Sequence, residues 1–234
     1  MAGTWRGEGG QHQGARPYQE DSWALQPLAN GALLAVLADG MGGHVGGATA
    51  SKLVVDAFVA ALTAGRNLAQ GLQEANAAVG KGVAGKPALS GMGSTAVAVL
   101  LKGDEVRWIS VGDSPFYLVS GGKLTRLNAD HSMAPQIDEL RARGMISAEE
   151  AANHPGRHTL REAVMGDPLT LIDEGSRKLE AGAMLLLCSD GVESLEHAAI
   201  AAASRSAKSL IDAVLAVGSP HQDNITVIKL ERAK

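Results

Sequence analysis

Two unbroken apolar runs constrain the fold of this chain more than any other feature. One is GALLAVLAD at residues 31–39 and the other is AMLLLCSD at residues 183–190. Each has the length and composition of a strand that is buried on both faces. Each run ends at an aspartate followed by glycine, Asp39 in the first and Asp190 in the second. The fold must therefore place two carboxylates at the ends of two core strands that are far apart in the sequence.

The remaining pattern predicts an α+β domain with antiparallel sheets and paired helices. After a start that we predict to be irregular, helical spacing follows the first strand over 48–65, with Gly65 as its C-cap, and again over 67–83. Two consecutive helices do not fit a simple βαβ alternation. Short turns then separate four predicted strands, which favours antiparallel pairing. These strands are 93–102, 105–112, 115–120 and 123–127.

The second half of the chain predicts further helices before a final strand. Residues 133–165 are polar and helical, and within them Ser147 and Glu150 have the spacing of a capping box. The alanine-rich stretch 194–218 is helical as well, and NITVIKL at 224–230 is the last strand. We find no internal repeat and no long linker, so we expect a single domain over residues 1–234.

Composition excludes several classes of protein. The 234 residues are 45% hydrophobic with a net charge of −4 and no basic stripe, so we expect a core of good size and no nucleic-acid partner. The single cysteine, Cys188, lies in an apolar run, which excludes an internal disulfide and favours a reducing compartment. The N-terminus has no secretory signal and no stretch reaches the roughly 18 apolar residues of a spanning helix. We therefore expect a cytoplasmic monomer without a membrane partner.

Acidic residues recur beside the predicted strands. Asp113 and Asp223 adjoin strand ends as Asp39 and Asp190 do, and the pair Glu20–Asp21 precedes the first predicted strand. One such aspartate is typical of a solvated turn, but several that converge at one edge would repel each other without cations. Oxygen ligands without thiolate or imidazole suit Mg²⁺ or Mn²⁺. Two such ions can share a hydroxide that attacks phosphorus, and no Gly-x-Ser-x-Gly nucleophile competes with it.

Six short motifs give these acids a family resemblance. ADGMGGH, GSTA, VGDS, ADHS, CSDG and QDNITV stand in an order and approximate spacing that resemble the PP2C-type (PPM family) serine/threonine phosphatases, particularly the compact bacterial ones. The likeness extends from about residue 6 to residue 231. It implies a four-layer sandwich, in which two antiparallel sheets are flanked by pairs of antiparallel helices. It also implies hydrolysis of phosphoserine and phosphothreonine by a hydroxide that bridges two Mn²⁺ or Mg²⁺ ions.

The resemblance assigns a role to each acidic position. Asp39 matches the residue that bridges both ions, and the Gly40 carbonyl matches a ligand of the second. Asp190 and Asp223 match the carboxylates of the first ion, whereas Arg16 matches the arginine that holds the substrate phosphate. Three further acids match positions near the second ion or a third, weaker one. These are Glu20 and Asp21 for the second ion and Asp113 for the third.

The chain also departs from the family pattern. Pro115 stands where an arginine commonly follows GDS. This departure puts the packing of that loop and the third metal site in doubt. The asparagine that commonly opens the acidic motif is replaced, since Gln19 and Glu20 precede Asp21. Met41 follows the first Asp-Gly, where the animal enzymes carry a proposed general acid. His44 is the nearby candidate for that role, with water or a structural role for His44 as the alternatives.

Four other histidines and one polar segment have weaker assignments. Residues 133–158 match the flap beside the bacterial active site, and its histidines, His154 and His158, are typical of surface or capping positions. His131 and His221 are candidates for hydrogen bonds to the metal ligands. The expected partners are a phosphorylated protein and a cognate serine/threonine kinase.

Three alternative functions remain open on the sequence. A nucleotide-binding loop fails at two positions, because Val45 replaces the third glycine of G-x-G-x-x-G and Ala48 replaces the lysine of a Walker motif. A non-catalytic phosphoprotein-binding scaffold of the same fold is disfavoured because every acid is retained. A partner-switching phosphatase of anti-sigma-factor antagonists keeps the same chemistry, so the site residues do not discriminate it.

Overall fold

The structure is a computed structural model that describes residues 4–43 and 45–233. The strands are β1 (Trp5–His12), β2 (Ser22–Pro27), β3 (Leu33–Ala38), β4 (Gly40–Met41), β5 (Gly93–Ser94), β6 (Ala96–Lys102), β7 (Glu105–Val111), β8 (Phe116–Ser120), β9 (Lys123–Arg126), β10 (Asp173–Lys178), β11 (Met184–Cys188) and β12 (Ile225–Arg232). The α-helices are α1 (Val45–Thr63), α2 (Leu68–Val83), α3 (Ala134–Ala142), α4 (Ala148–Ala152), α5 (His197–Ala203) and α6 (Ala207–Leu215).

The strands form two five-stranded sheets and one short ribbon. The first sheet has the order β1-β12-β11-β8-β9, and the second has the order β10-β7-β6-β3-β2. The two-residue strands β4 and β5 pair with each other. Every pairing between these strands is antiparallel, as the short predicted turns indicate.

The core has three apolar layers, which define a four-layer sandwich. Because side chains alternate along a strand, Val36 of β3 faces α1 and α2, whereas Leu37 faces the other sheet. Phe116 and Leu187 of the first sheet meet Leu37 between the two sheets. A third layer, which contains Cys188, lies between the first sheet and helices α5 and α6. The predicted fold class is confirmed, and the core strands are apolar because both of their faces are covered.

Local signals in the sequence mark several helix ends correctly. The backbone N–H of Glu150 donates to Ser147 Oγ at 3.1 Å, and the N–H of Ser147 donates to Glu150 Oε2 at 2.7 Å, which completes the predicted capping box of α4. Gly65 follows the end of α1 with a φ of +82°. In that conformation a glycine ends a helix at little cost.

The predicted irregular start is wrong, because residues 5–12 and 22–27 form strands β1 and β2. Strand β1 lacks apolar alternation since its glycines make room for side chains of β2. A Cβ at Gly9 would lie 2.5 Å from the Trp23 ring, and one at Gly7 would lie 3.1 Å from Leu25. Strand β10 was not predicted either, and its sequence DEGSRK has the charged composition of an edge strand.

The two long helical predictions are correct only in part. Within 133–165 the structure forms α3 and α4 and then turns, and within 194–218 it forms α5 and α6. Helix α1 has the length and mean hydropathy, 1.5, of a membrane-crossing segment, and half of that window is buried. Its buried side chains, among them Val54 and Phe58, pack on the second sheet. Core packing therefore accounts for its apolar composition.

Candidate metal centre

Strand ends from both sheets surround one cleft of about 550 Å³. All but two of the residues predicted for the site line it. They are Arg16, Glu20, Asp39, Gly40, Asp113, Asp190 and Asp223. The remaining acid, Asp21, is 5% exposed, and its Oδ2 accepts a hydrogen bond from Thr226 Oγ1 at 2.6 Å. The candidate general acid His44 lies outside the described residues, so its role stays a prediction.

The backbone of Asp39 is held by the GSTA motif. Asp39 lies between β3 and β4, and its N–H donates to Thr95 Oγ1 at 2.9 Å. Its carbonyl accepts from the Thr95 N–H at 2.8 Å and from Ser94 Oγ at 2.9 Å. Gly40 must be glycine because a Cβ there would lie 2.1 Å from the carbonyl oxygen of Gly47 in α1. These contacts fix the direction in which the first apolar run enters the cleft.

Gly191, which follows Asp190, lies where two loops of the cleft approach each other closely. A Cβ at Gly191 would lie 2.0 Å from the carbonyl oxygen of Asn224. The Gly191 carbonyl accepts a hydrogen bond from Gln222 Nε2 at 2.9 Å. The two loops that carry Asp190 and Asp223 are therefore in direct backbone contact.

We expect Gly191→Ala to separate these two loops. The new methyl group meets a backbone carbonyl, so relief requires a backbone shift, and the expected loss of stability is about 1–3 kcal/mol. Gly156→Ala is the matched control, since its Cβ would have ordinary contacts of 3.4 Å. Urea unfolding of both variants measures the difference, and equal stabilities would contradict the close contact.

Asn224 joins the N-terminal loop to the Asp223 loop. Its Oδ1 accepts from the Glu20 N–H at 2.7 Å, while its Nδ2 donates to the carbonyls of Gln13 at 2.8 Å and Tyr18 at 2.9 Å. The side chain is 4% exposed, so these bonds are shielded from water. Asn224 thereby holds the segment that contains Arg16 and Glu20 against the cleft.

Burial and mutual repulsion act on the clustered carboxyl groups. Burial raises the pKa of Asp39 and of Asp190 well above the usual range, and the neighbouring carboxylates raise both further. Burial likewise raises the pKa of Asp21 to about 6 and that of Asp113 to about 6. Ionised acids in these positions require a compensating cation.

Arg16 lines the cleft and pairs with one of the acids. Its Nη2 lies 2.6 Å from Asp223 Oδ2, and that hydrogen bond raises the pKa of the guanidinium. The Arg16 side chain is still 53% exposed. A guanidinium carries five N–H donors, so donors beyond the one used by Asp223 remain to bind an oxyanion.

The loop that carries Asp113 is well packed despite Pro115. Arg126 in β9 donates from Nη2 to the Asp113 carbonyl at 2.5 Å, and its Nη1 pairs with Asp130 Oδ2 at 3.1 Å. The Gly112 N–H donates to Nδ1 of the buried His131 at 3.3 Å, and burial lowers the pKa of that imidazole. A neutral imidazole is the form that accepts at Nδ1. His131 thus contacts the backbone of Gly112, next to Asp113, and not a predicted metal ligand. His221 is exposed and does not line the cleft.

Arg126→Ala is expected to loosen the Asp113 loop and to lower the free energy of unfolding by about 1–3 kcal/mol, because a half-buried charge-assisted network is lost. Arg107→Ala is the control, since Arg107 is 61% exposed and pairs with Glu105 on the surface. That pair contributes about 1 kcal/mol or less. Chemical denaturation compares the two variants, and a neutral Arg126→Ala would show that the loop does not depend on this side chain.

The donor set fits a hard divalent cation. The cleft presents carboxylate oxygens and the Gly40 backbone, and Asp21 Oδ1 is buried without a hydrogen bond from the described residues. Within 4–43 and 45–233, no three acidic, histidine or cysteine side chains already form a ready metal-ligand group. Instead, one carboxylate oxygen of Asp223 accepts a hydrogen bond from Arg16, and one of Asp21 accepts a hydrogen bond from Thr226.

The sequence missed three residues of the cleft or its support. Thr95 lines the cleft and holds Asp39, and Asn224 holds the N-terminal loop. His158 lines the cleft wall with Thr159 and Leu160, although it was expected at a surface or capping position. Thr95 lies in the GSTA motif and Asn224 lies in the QDNITV motif, so the motifs already contained these two residues. No local pattern distinguishes His158.

Comparisons with known proteins define the class. The sequence profile of the Protein phosphatase 2C family matches residues 8–226, and the chain belongs to this family. It is 37% identical over 214 residues to the serine/threonine protein phosphatase PstP of Mycobacterium tuberculosis, covering 85% of this chain and 40% of that protein. It thus spans about two fifths of that relative's length. It is 32% identical over 233 residues to the serine/threonine phosphatase stp of Listeria monocytogenes, covering 93% of this chain and 91% of that protein.

Solved structures show the same fold. The phosphatase PstP/Ppp of M. tuberculosis superposes with a TM-score of 0.82 at 31% identity, covering 98% of this chain and 99% of that one. Stp1 of Staphylococcus aureus gives a TM-score of 0.85 at 25% identity, covering 100% and 97%. The catalytic domain of PstP, solved in complex with two manganese ions, gives 0.80 at 30% identity, covering 98% and 99%.

Proposed function

We propose that this chain hydrolyses phosphoserine and phosphothreonine in proteins with the help of two Mn²⁺ or Mg²⁺ ions. The observation that carries the proposal is the cleft itself, in which five carboxylates and one arginine face the same space. Family membership and the two manganese ions of the PstP catalytic domain support it. When bound, such ions supply the positive charge that activates water and stabilises a phosphoryl group in transfer.

The acidic residues of the cleft would each have a role in holding the ions. Asp39 would hold both ions, with Asp190 and Asp223 on the first and Glu20 and the Gly40 carbonyl on the second. Asp21, which is buried and accepts a hydrogen bond from Thr226, would act with Glu20 at the second ion, one of the two binding it and the other orienting a water. Asp113, which lines the same cleft, would hold a third and weaker ion.

Arg16 would hold the phosphate of the substrate. Its side chain is half exposed in the cleft, and the Asp223 pair orients the guanidinium there. A planar fork of N–H donors matches two phosphate oxygens. His44 remains the proposed proton donor to the leaving alkoxide, with water as the alternative.

Residues 133–158 would act as a flap within a single domain over 1–234. Their C-terminal end leads directly into His158, Thr159 and Leu160, which line the cleft. The ion pair of Arg157 with Asp138, at 2.9 Å, ties α3 to that end. We further propose a cytoplasmic monomer that reverses the action of a serine/threonine kinase on the same phosphoproteins.

A phosphate-release assay tests the proposal. A phosphothreonine peptide and an aryl phosphate are incubated with the chain in Mn²⁺, in Mg²⁺ and in excess chelator. Hydrolysis of both substrates only with a divalent ion is expected. Full activity in chelator, or none in either metal, would overturn the assignment.

A further inference from the structure

Two buried hydroxyl groups meet between the backbone of Asp39 and the loop that carries Asp113. Thr95 Oγ1 and Ser114 Oγ lie 2.7 Å apart, so one hydroxyl donates to the other. Thr95 is 2% exposed and Ser114 is fully buried. This hydrogen bond is costly to break, because a buried hydroxyl that loses its partner stays desolvated. Ser114 has no part in the ligand set predicted for the cleft.

Thr95 also contacts the residue that would hold both ions. The Asp39 N–H donates to Thr95 Oγ1 at 2.9 Å, and the Thr95 N–H donates to the Asp39 carbonyl at 2.8 Å. The Thr95 hydroxyl therefore belongs to two hydrogen bonds, one with Asp39 and one with Ser114. We call the Asp39 amide, the Thr95 hydroxyl and the Ser114 hydroxyl the hydroxyl relay. It joins Asp39 to the loop that would hold the third ion.

The same threonine packs closely against the Asp113 loop. Gly112, which precedes Asp113, has a φ of +97°, and a Cβ there would lie 2.7 Å from Cγ2 of Thr95. The loop is held a second time by Asn128, whose Nδ2 donates to the Ser114 carbonyl at 3.0 Å. Because buried side chains at this spacing leave no free volume, a shift of the loop would move the Thr95 side chain.

We propose that Ser114 is a positioning residue for the metal centre and acts on Asp39 through Thr95. The inference rests on the proposed phosphatase function and extends its machinery to a side chain that binds neither ion nor phosphate. Ser114 orients the Thr95 hydroxyl, and that hydroxyl holds the Asp39 amide. The direction of the Asp39 carboxylate thus depends on the Asp113 loop. Side chains that orient metal ligands through hydrogen bonds change metal affinity by about 10–100-fold when they are removed.

Isothermal titration calorimetry of Mn²⁺ binding, without substrate, tests the hydroxyl relay. Ser114→Ala is expected to weaken Mn²⁺ binding about tenfold, because the Thr95 hydroxyl loses the partner that orients it. Ser204→Ala is the matched control. Ser204 is 1% exposed, its Oγ donates to the Ala201 carbonyl at 2.7 Å, and it does not line the cleft. This control is expected to bind Mn²⁺ as the parent chain does.

A second pair of variants separates the Thr95 hydroxyl from the packing of its methyl group. Thr95→Val keeps the size of the side chain and removes the hydroxyl, whereas Thr95→Ser keeps the hydroxyl and removes the methyl that faces Gly112. The valine variant is expected to bind Mn²⁺ about tenfold more weakly than the serine variant. The opposite order, or a Ser114→Ala variant that binds Mn²⁺ as tightly as the parent chain, would overturn the hydroxyl relay.

Hydrogen exchange in chelator tests the hydroxyl relay independently of the phosphatase function. In Ser114→Ala the Asp39 amide is expected to exchange about tenfold faster than in the parent chain, the scale of one weakened hydrogen bond. In Ser204→Ala the rate at Asp39 should stay the same. An unchanged rate at Asp39 in Ser114→Ala would reject the relay. A parent chain that binds no Mn²⁺ and hydrolyses no phosphopeptide would instead overturn the proposed function, and the exchange rates would still decide the relay.

Discussion

Asp39→Asn is expected to abolish phosphate release while making the protein more resistant to heat in chelator. Asparagine has nearly the same shape but cannot bring a negative charge to two cations. The expected loss of kcat/KM is at least about 100-fold, the scale found when a group that organises transition-state charge is removed. Burial and the neighbouring acids together raise the pKa of Asp39.

Asp39→Asn is expected to lose activity but to gain stability, and the pKa of the carboxyl group explains the gain. The pKa of Asp39 is raised in the folded chain, so its ionised form costs folding free energy at neutral pH and asparagine removes that cost. We expect the thermal midpoint in chelator to rise by a few degrees, at about 2–4 °C for each kcal/mol in a chain of this size.

Asp212→Asn is the matched control for both measurements. Asp212 is 57% exposed, pairs with Lys208 on α6 and does not line the cleft. Its activity is expected to stay the same, and its free energy of unfolding is expected to change by no more than about 0.5 kcal/mol. A fully active Asp39→Asn, or one that is less stable than the parent chain in chelator, would contradict the role of this carboxylate.

Asn224→Ala is expected to cause the largest loss of stability among the single changes at the site. The truncation removes three hydrogen bonds and leaves the Glu20 N–H and the Gln13 and Tyr18 carbonyls without this partner. Buried polar groups without partners cost about 1–3 kcal/mol each, and partial access of water limits the total to about 2–4 kcal/mol. Because Arg16 belongs to the released segment, KM for a phosphopeptide should rise more than kcat falls.

Asn153→Ala separates this effect from the general cost of losing an asparagine. Asn153 is exposed, and its Nδ2 donates to the Glu149 carbonyl at 3.1 Å. Its free energy of unfolding should change by about 0.5 kcal/mol or less. Similar losses for the two alanine variants in urea titrations would mean that Asn224 does not hold the N-terminal loop.

The parts of the fold that were predictable have strong local patterns. Strands β3 and β11 stand out as apolar runs because both of their faces are covered, and the aspartates that follow them, Asp39 and Asp190, line one cleft. The capping box of α4 is likewise a signal contained in four consecutive residues. Six ordered motifs were sufficient to name the family.

The parts that were missed depend on contacts between distant residues. Strand β1 is glycine-rich because Trp23 and Leu25 of β2 fill the space that its side chains would occupy, so apolar alternation is absent. Asn224 contacts Glu20 across 204 positions of the chain, and Gly191 is required by the approach of Asn224. No pattern within a short window contains these relations.

Anomalous diffraction at the manganese edge, from crystals grown with Mn²⁺, tests the metal centre most directly. Two anomalous peaks are predicted in the cleft, both beside Asp39. One should adjoin Asp190 and Asp223, and the other should adjoin Glu20 and the Gly40 carbonyl. A cleft without manganese, or ions held only by residues other than these carboxylates, would contradict the account.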